Sequence, residues 1–267
     1  MAPPDEDWDQ DLVRIERAGP IATVILNRAD KLNALNRAMW IGVAEVFTTL
    51  DADEDLRCVI LRGAGDKAMG PGADITEFAE QRADARQGAA YGGLMHRAMG
   101  MIRACRHPVI AMIKGLCVGG ALELALMCDL RICGSDSRFG IPINRLGLVM
   151  AYPEIAALLA SVAPAAALEI LFEGRVFDAG EAERKGLVNR IVKPGEVEGE
   201  VMETARRIAQ GAPLVNRWHK KFVYRVASGA PVTAEDAAEG FACFDTDDFR
   251  EGVRAFLAKQ TPEFKGK

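Results

Sequence analysis

The chain has 267 residues, 49% of them hydrophobic, 27% charged and 6% aromatic, and 33 Lys and Arg stand against 38 Asp and Glu for a formal net charge of -5. Hydrophobicity this high with so little net charge excludes a chain disordered throughout, and the length suffices for one large domain, or a domain with an appendage, around a real core. The acidic balance offers no overall basic field to phosphodiester backbones, so no nucleic-acid partner is expected.

The N-terminus reads MAPPDEDWDQD, which is acidic and lacks the apolar core of a signal peptide. The longest uncharged stretch, Ile155 to Leu168, contains Pro164 and falls short of the roughly 20 apolar residues that a bilayer span needs. The six cysteines (Cys58, Cys105, Cys117, Cys128, Cys133 and Cys243) form no C-x-x-C pair and sit mostly in apolar runs. They read as buried free thiols of a reducing compartment. A cytoplasmic protein with no membrane contact is expected.

In chain order, Ile21 to Leu26 reads as a β-branched strand bounded by Gly19-Pro20 and Asn27. Arg37 to Leu50 carries Met39, Val43, Val46, Phe47 and Leu50 at helical spacing. Cys58 to Leu61 is a second strand, closed by the turn residues GAGD. A helix is expected from about Tyr91 to Cys105, stopping ahead of Pro108, and Val109 to Ile113 is a third strand. Leu130 to Cys133 and Val188 to Val192 follow as strands, each after a helix-like stretch. Asp178-Ala-Gly-Glu181 matches a capping box opening a short helix toward Gly186. From Glu196 the pattern is helical and charged, with no convincing strand. The expectation is an α/β core over residues 1–195 and a helical portion over residues 196–267.

Several familiar chemistries have no local basis. No G-x-S-x-G elbow, G-x-x-x-x-G-K-[ST] loop or G-x-G-x-x-G fingerprint occurs. The histidines (His96, His107 and His219) are far apart and have no partner at i+4, so no metal site is expected. His107, ahead of Pro108, and His219, beside Lys220-Lys221, stand in surface-like contexts.

Two glycine-bearing turns remain, each after a strand: Gly70-Pro-Gly-Ala-Asp-Ile75 and Gly119-Gly-Ala-Leu-Glu-Leu-Ala125. The second stands where a helix begins, so its free N–H groups and partial positive charge suit an anion. One helical turn past Gly120 comes Glu123, flanked by Leu122, Leu124, Ala125 and Leu126. A first-turn Glu ordinarily complements the helix dipole, but these neighbours leave little solvated face. Buried there, the carboxyl should titrate above its usual range and exchange protons near neutrality.

The order NRADKLNALN (Asn27 to Asn36), MGPGADITEF (Met69 to Phe78), HPVIAMIKGLCVGGALELALMCDLRI, FGIP and LGL resembles the crotonase, or enoyl-CoA hydratase/isomerase, family. The resemblance runs from about Val13 to the C-terminal EGVRAFLAKQTPEF. The paired G-A-D-I and G-G-x-x-E-L-A segments make it specific.

The resemblance implies a spiral of ββα units followed by a helical trimerisation region, hence a homotrimer or dimer of trimers. It implies acyl-CoA thioesters as substrates, with no permanently bound cofactor. It implies an oxyanion hole from the backbone N–H groups of Ala73 and Gly120, with Glu123 moving protons. Asp74 would be structural, and the stretch from Ala73 through Asp74 and Ile75 to Thr76 would grip the acyl-pantetheine or adenine portions. Lys31 and Leu32 would border the CoA nucleotide, and Phe256 and Lys259 would reach CoA from a neighbouring subunit.

The sequence departs from the family pattern at one catalytic position. Hydratases usually carry a second glutamate just after the proline of F-G-x-P-E, and here that segment is Phe139-Gly-Ile-Pro-Ile143. Asn144, which could hold a water, and Glu154, which opens the next helix after Pro153, are the candidate substitutes. Pro71 removes one backbone donor from the first turn, but not that of Ala73. Three readings stay open: hydration or double-bond isomerisation; another enolate reaction such as decarboxylation, C–C cleavage or thioester hydrolysis; and CoA binding without turnover.

Overall fold

The computed structural model describes residues 10–267; the reading of the acidic N-terminal segment falls almost wholly on residues 1–9, outside the described residues. The chain begins with a hairpin, β1 (Val13–Ala18) and β2 (Ile21–Leu26), paired antiparallel across Gly19-Pro20. Beyond Val13, β1 is exposed and charged (Arg14, Glu16, Arg17), as suits an edge strand protected against further pairing. That polarity hides it from a search for apolar runs.

Helix α1 (Arg37–Ala52) starts where the Asn36 side chain accepts from Met39 N–H. Then a strand pair and its helices recur. β3 (Cys58–Gly63) and β4 (Ala68–Gly70) precede α2 (Phe78–Gln81) and α3 (Ala85–Ala104). β5 (Val109–Ile113) and β6 (Leu116–Val118) precede α4 (Gly120–Met127). β7 (Leu130–Gly134) and β8 (Arg138–Gly140) precede α5 (Tyr152–Leu159) and α6 (Pro164–Glu173).

In each pair the first strand joins a six-stranded sheet, ordered β1-β2-β3-β5-β7-β10, and the second joins a four-stranded sheet, β4-β6-β8-β9. The chain thus winds between two sheets as a ββα spiral. β9 (Phe177–Asp178), α7 (Ala179–Lys185) and β10 (Arg190–Val192) complete them. Helices α8 (Val197–Gln210), α9 (Pro213–Ala227), α10 (Ala234–Glu239) and α11 (Asp247–Ala258) follow, with no strand among these described residues.

The central strands pair in parallel and are buried on both faces, which is why they read as largely apolar runs. On one face Val59, Leu61, Val109 and Ala111 meet the main core with Trp40 and Phe47. On the other, Cys58, Ile60, Ile110 and Met112 meet α8, whose Val197, Val201, Ala205 and Ala209 recur every fourth residue. Five of the six cysteines are buried, and all six are unbridged. Among the described residues no helix is long and apolar enough to cross a membrane.

Local differences have physical causes. Helix α3 starts at Ala85, where Asp84 accepts from Gln87 N–H at 2.8 Å; Gly88, Gly92 and Gly93 dilute its apolar pattern. Asp178 does cap α7, accepting from Glu181 N–H at 2.8 Å, but the box stays open. Arg175 and Lys185 take the Glu181 carboxylate instead.

His107 corrects the surface reading: it is fully buried, and neither ring nitrogen finds a partner among the described residues. Burial, reinforced by Arg217 and Arg106, pushes the imidazole down to about 4. Unfolded, it titrates near 6.5, so between those values the unfolded chain binds the extra proton. Stability is therefore full above pH ~6.5 and falls toward pH 4, by about 3 kcal/mol from this group. Urea unfolding across that window should show a steeper loss for the native chain than for His107→Gln; parallel curves would refute the assignment.

Candidate active site

The four-stranded sheet sets the two glycine turns side by side, because β4 and β6 are neighbours in it. After β4, Gly72 adopts φ +106°, a region L side chains rarely enter. A Cβ placed on Gly72 would come within 3.2 Å of both Gly120 N and Val118 O. The first turn thus lies against the start of α4.

Leu35 fixes how this turn faces. Its N–H donates to Gly72 O at 2.8 Å, and its carbonyl accepts from Asp74 N–H at 2.8 Å. In this parallel bridge the bonded groups belong to the residues on either side of Ala73. The N–H and C=O of Ala73 itself are consequently directed away from Leu35.

Asp74 stands behind the turn. It accepts from Thr76 Oγ1 (2.7 Å), Thr76 N–H (3.1 Å) and Arg28 Nη1 (2.6 Å). Thr76 first, and Arg28 with it, hold the Asp74 carboxyl below the usual range. Arg28 also donates to Ala34 O, while Asn33 donates to Ala64 O and Ala68 O, so the 28–35 loop braces the turn from below. Arg28 and Asn33 lie inside the quoted NRADKLNALN run, where charge and amide alone do not reveal this bracing.

The second turn is equally constrained. Gly119 has φ +53°, and its N–H donates to Gly140 O of β8 at 2.9 Å. Gly120 is the first residue of α4, so its N–H has no carbonyl one turn back within the helix. A Cβ on Gly120 would meet the buried Trp40 ring at 3.1 and 3.2 Å and Ala73 N at 3.6 Å. The two amides border one another across the gap between the turns.

One turn into α4, Glu123 is only 5% exposed, and its Oε2 has no partner among the described residues. Burial, then the negative charge of Glu154, push its carboxyl up to about 8, with Arg82 opposing. Glu154, in the first turn of α5, is also 5% exposed. Its Oε1 lies 2.9 Å from His96 Nε2 of α3, and its Oε2 is buried without a partner among the described residues. The Arg82 guanidinium stacks over Phe78 at 4.5 Å and Tyr91 at 4.0 Å.

These groups line one cleft of about 990 Å³, which Ala73, Gly120, Glu123, Glu154, His96 and Arg82 share with Ile75 and Ile143. Six residues expected at the site thus come together: Ala73, Ile75, Gly120, Glu123, Ile143 and Glu154. Asn144 does not join them; it lies outside the cleft lining, and its Nδ2 donates to Phe172 O at 2.8 Å. Lys31 and Leu32 form an exposed turn outside the cleft lining. Phe256, 82% exposed, and Lys259, which ends α11 at φ +54°, also stand outside the lining of their own chain's cleft.

His96 and Arg82 also line this cleft and are not among the residues expected there. His96 and Glu154 are 58 positions apart, so no local spacing signals the pair. Among the described residues no group of three or more His, Cys, Asp or Glu is placed to hold a metal ion.

The model of the family described as Enoyl-CoA hydratase/isomerase matches residues 16–267. The chain belongs to the enoyl-CoA hydratase/isomerase family. Among relatives, it is 33% identical to the crotonyl-CoA hydratase of Syntrophomonas wolfei over 95% of this chain and 97% of that one. It is likewise 33% identical to the short-chain-enoyl-CoA hydratase of Clostridium acetobutylicum, covering 94% and 96%. Among solved structures, an enoyl-CoA hydratase/carnithine racemase from Magnetospirillum magneticum shares 51% identity at TM-score 0.95, with 97% of each chain covered. Enoyl-CoA hydratase/isomerase membership accounts for the α/β spiral.

Proposed function

We propose that the chain acts on acyl-CoA thioesters, stabilising an enolate on the N–H groups of Ala73 and Gly120 and moving a proton with Glu123. One observation carries this reading: the backbone amides of two turns distant in sequence border each other beside a buried carboxyl in a single cleft. A nucleophile adding at the β-carbon, or a base removing the α-proton, turns the thioester carbonyl into an enolate. Two fixed amides offset that charge without reorganising, and one such donor contributes on the order of 3 kcal/mol in comparable sites.

Two buried carboxyls, Glu123 and Glu154, favour reversible addition of water to an enoyl-CoA, since hydration needs one group to take a proton and one to give it. The names of the relatives, hydratases of crotonyl-CoA and of short-chain enoyl-CoA, support the same choice. CoA is part of the substrate here, and no resident cofactor is required.

The helical segment 196–267 would serve assembly into a trimer or a dimer of trimers in the cytoplasm, apart from a catalytic segment 1–195. Exposed Phe241, Phe244, Phe256 and Leu257 support that role. Phe256 and Lys259 would then meet CoA bound to a neighbouring copy, while Lys31, Leu32 and Ile75 border it in the same copy.

Mass spectrometry of a panel of acyl-CoA thioesters tests the reading, because it detects water gain, CO2 loss and CoA release together. Gain of one water on crotonyl-CoA, matched by loss of enoyl absorbance, is the expected result. Thermal stabilisation by CoA with every thioester unchanged would leave a binding protein only.

A further inference from the structure

Ile143 brings hydrocarbon to the cleft where a second catalytic carboxylate is usual in the family. Glu154 brings a carboxylate to the same cleft from α5, which packs on α4. A first-turn glutamate present only to complement the helix dipole would be solvated. Glu154 is instead 5% exposed, with one oxygen at His96 Nε2 (2.9 Å) and the other buried without a partner among the described residues.

A buried oxygen without a hydrogen bond is costly to the fold, so it signals a place for a ligand group. Glu123 Oε2 is in the same condition in the same cleft. Each of these two carboxyl oxygens lacks a protein donor among the described residues, and both side chains line the same cleft.

We infer that Glu154, oriented by His96, is the second proton-transfer group of this site and works on the water while Glu123 serves the α-carbon. This rests on the acyl-CoA reading above. In the forward direction a lone pair on the water oxygen forms the bond to C3, and the displaced C2–C3 π electrons move into the enolate. One water proton passes to the Glu154 carboxylate and the other stays on the new C3 hydroxyl. The enolate, held on Ala73 N–H and Gly120 N–H, collapses by taking the proton of the Glu123 carboxyl at C2. Transfer of the proton from Glu154 to Glu123 restores both groups, so the net change is one water added.

His96 acts through Glu154 and is a positioning residue. With its proton on Nε2, the imidazole donates to Oε1 and leaves Oε2 for the water. Its ring stands on α3, and Arg82, ahead of that helix, is the cation that acts on Glu123.

The test uses the full-length protein in two assays: hydration of crotonyl-CoA, and exchange of the α-protons of butyryl-CoA in D2O, which needs no second carboxylate. Glu154→Gln should lower the hydration kcat by roughly 100-fold or more. Its KM should stay within about threefold of wild type, and so should its butyryl-CoA exchange on the alkaline plateau, where Glu123 is ionised in both proteins. His96→Phe should lower kcat at unchanged KM, with His96→Gln, which keeps a donor, retaining more activity. If Glu154→Gln does not fold, the two His96 variants decide the assignment by the same readouts.

Hydration by Glu154→Gln at the wild-type rate, or parallel loss of hydration and exchange, would overturn the assignment. So would a wild type that exchanges but adds no water, and the acyl-CoA reading would survive in that case. A wild type inert in both assays and on every thioester would end both readings.

Discussion

Glu123→Gln is expected to keep its affinity for CoA thioesters and to lose about 10³-fold or more in kcat, because amide replaces carboxyl at nearly constant volume and only the proton is gone. The pH profile makes the prediction sharper. In the free protein the Glu123 carboxyl sits at about 8, raised by burial and then by Glu154, and opposed by Arg82. Removal of an α-proton needs the carboxylate, so exchange on a saturated acyl-CoA should rise with pH through about 8 and level off above it. Delivery of a proton to the α-carbon needs the acid, so hydration should fall above the same value. Glu154→Gln removes the nearby negative charge and should move the exchange midpoint down. A flat exchange profile from pH ~6.5 to ~9.5 would eliminate Glu123 as the base.

Stability carries the same signature with its own sign. The folded Glu123 carboxyl titrates near 8 against 4.5 for the ordinary group, so the folded state binds the extra proton between those values. Stability from this group is lost as pH rises through that range, and Glu123→Gln should melt higher than wild type at alkaline pH. A buried carboxyl that destabilises its own fold is what a functional position leads one to expect.

How much of this was legible depended on the range of each signal. β2, β3 and β5 were visible because strands buried on both faces leave near-continuous apolar runs. The four-stranded sheet was not, since its strands are two or three residues long. Yet that sheet is what puts Gly72 against Gly120, so the turns were legible while their meeting was carried only by family resemblance. Glu123 could be read from its leucine neighbours alone. Glu154 could not, because its burial depends on α4 and its partner His96 on α3. His107 failed for a related reason: the residue before a strand-opening proline reads as surface, but α9 covers it, with Lys220 donating to its carbonyl at 3.0 Å.

Gly120→Ala is expected to lower kcat by roughly 10²- to 10³-fold, the usual consequence of misplacing one oxyanion donor, with a smaller change in KM. The added methyl would meet Trp40 ring atoms at 3.1 and 3.2 Å, and Trp40 is fully buried and packed in the main core. Neither side yields cheaply, so the start of α4 must back away by a few tenths of an ångström, carrying the Gly120 N–H with it. If the glycine serves packing alone, the melting temperature falls and kcat does not. Trp40→Phe separates these outcomes, because it removes the ring atoms that crowd the new methyl. The double variant should recover part of the lost kcat, giving a coupling that two independent defects would not show. Gly93→Ala, on an exposed stretch of α3 where a Cβ meets nothing within 4 Å, is the control. It should add about 0.5–1 kcal/mol of stability and leave kcat alone, since its methyl gains helix propensity without touching either amide.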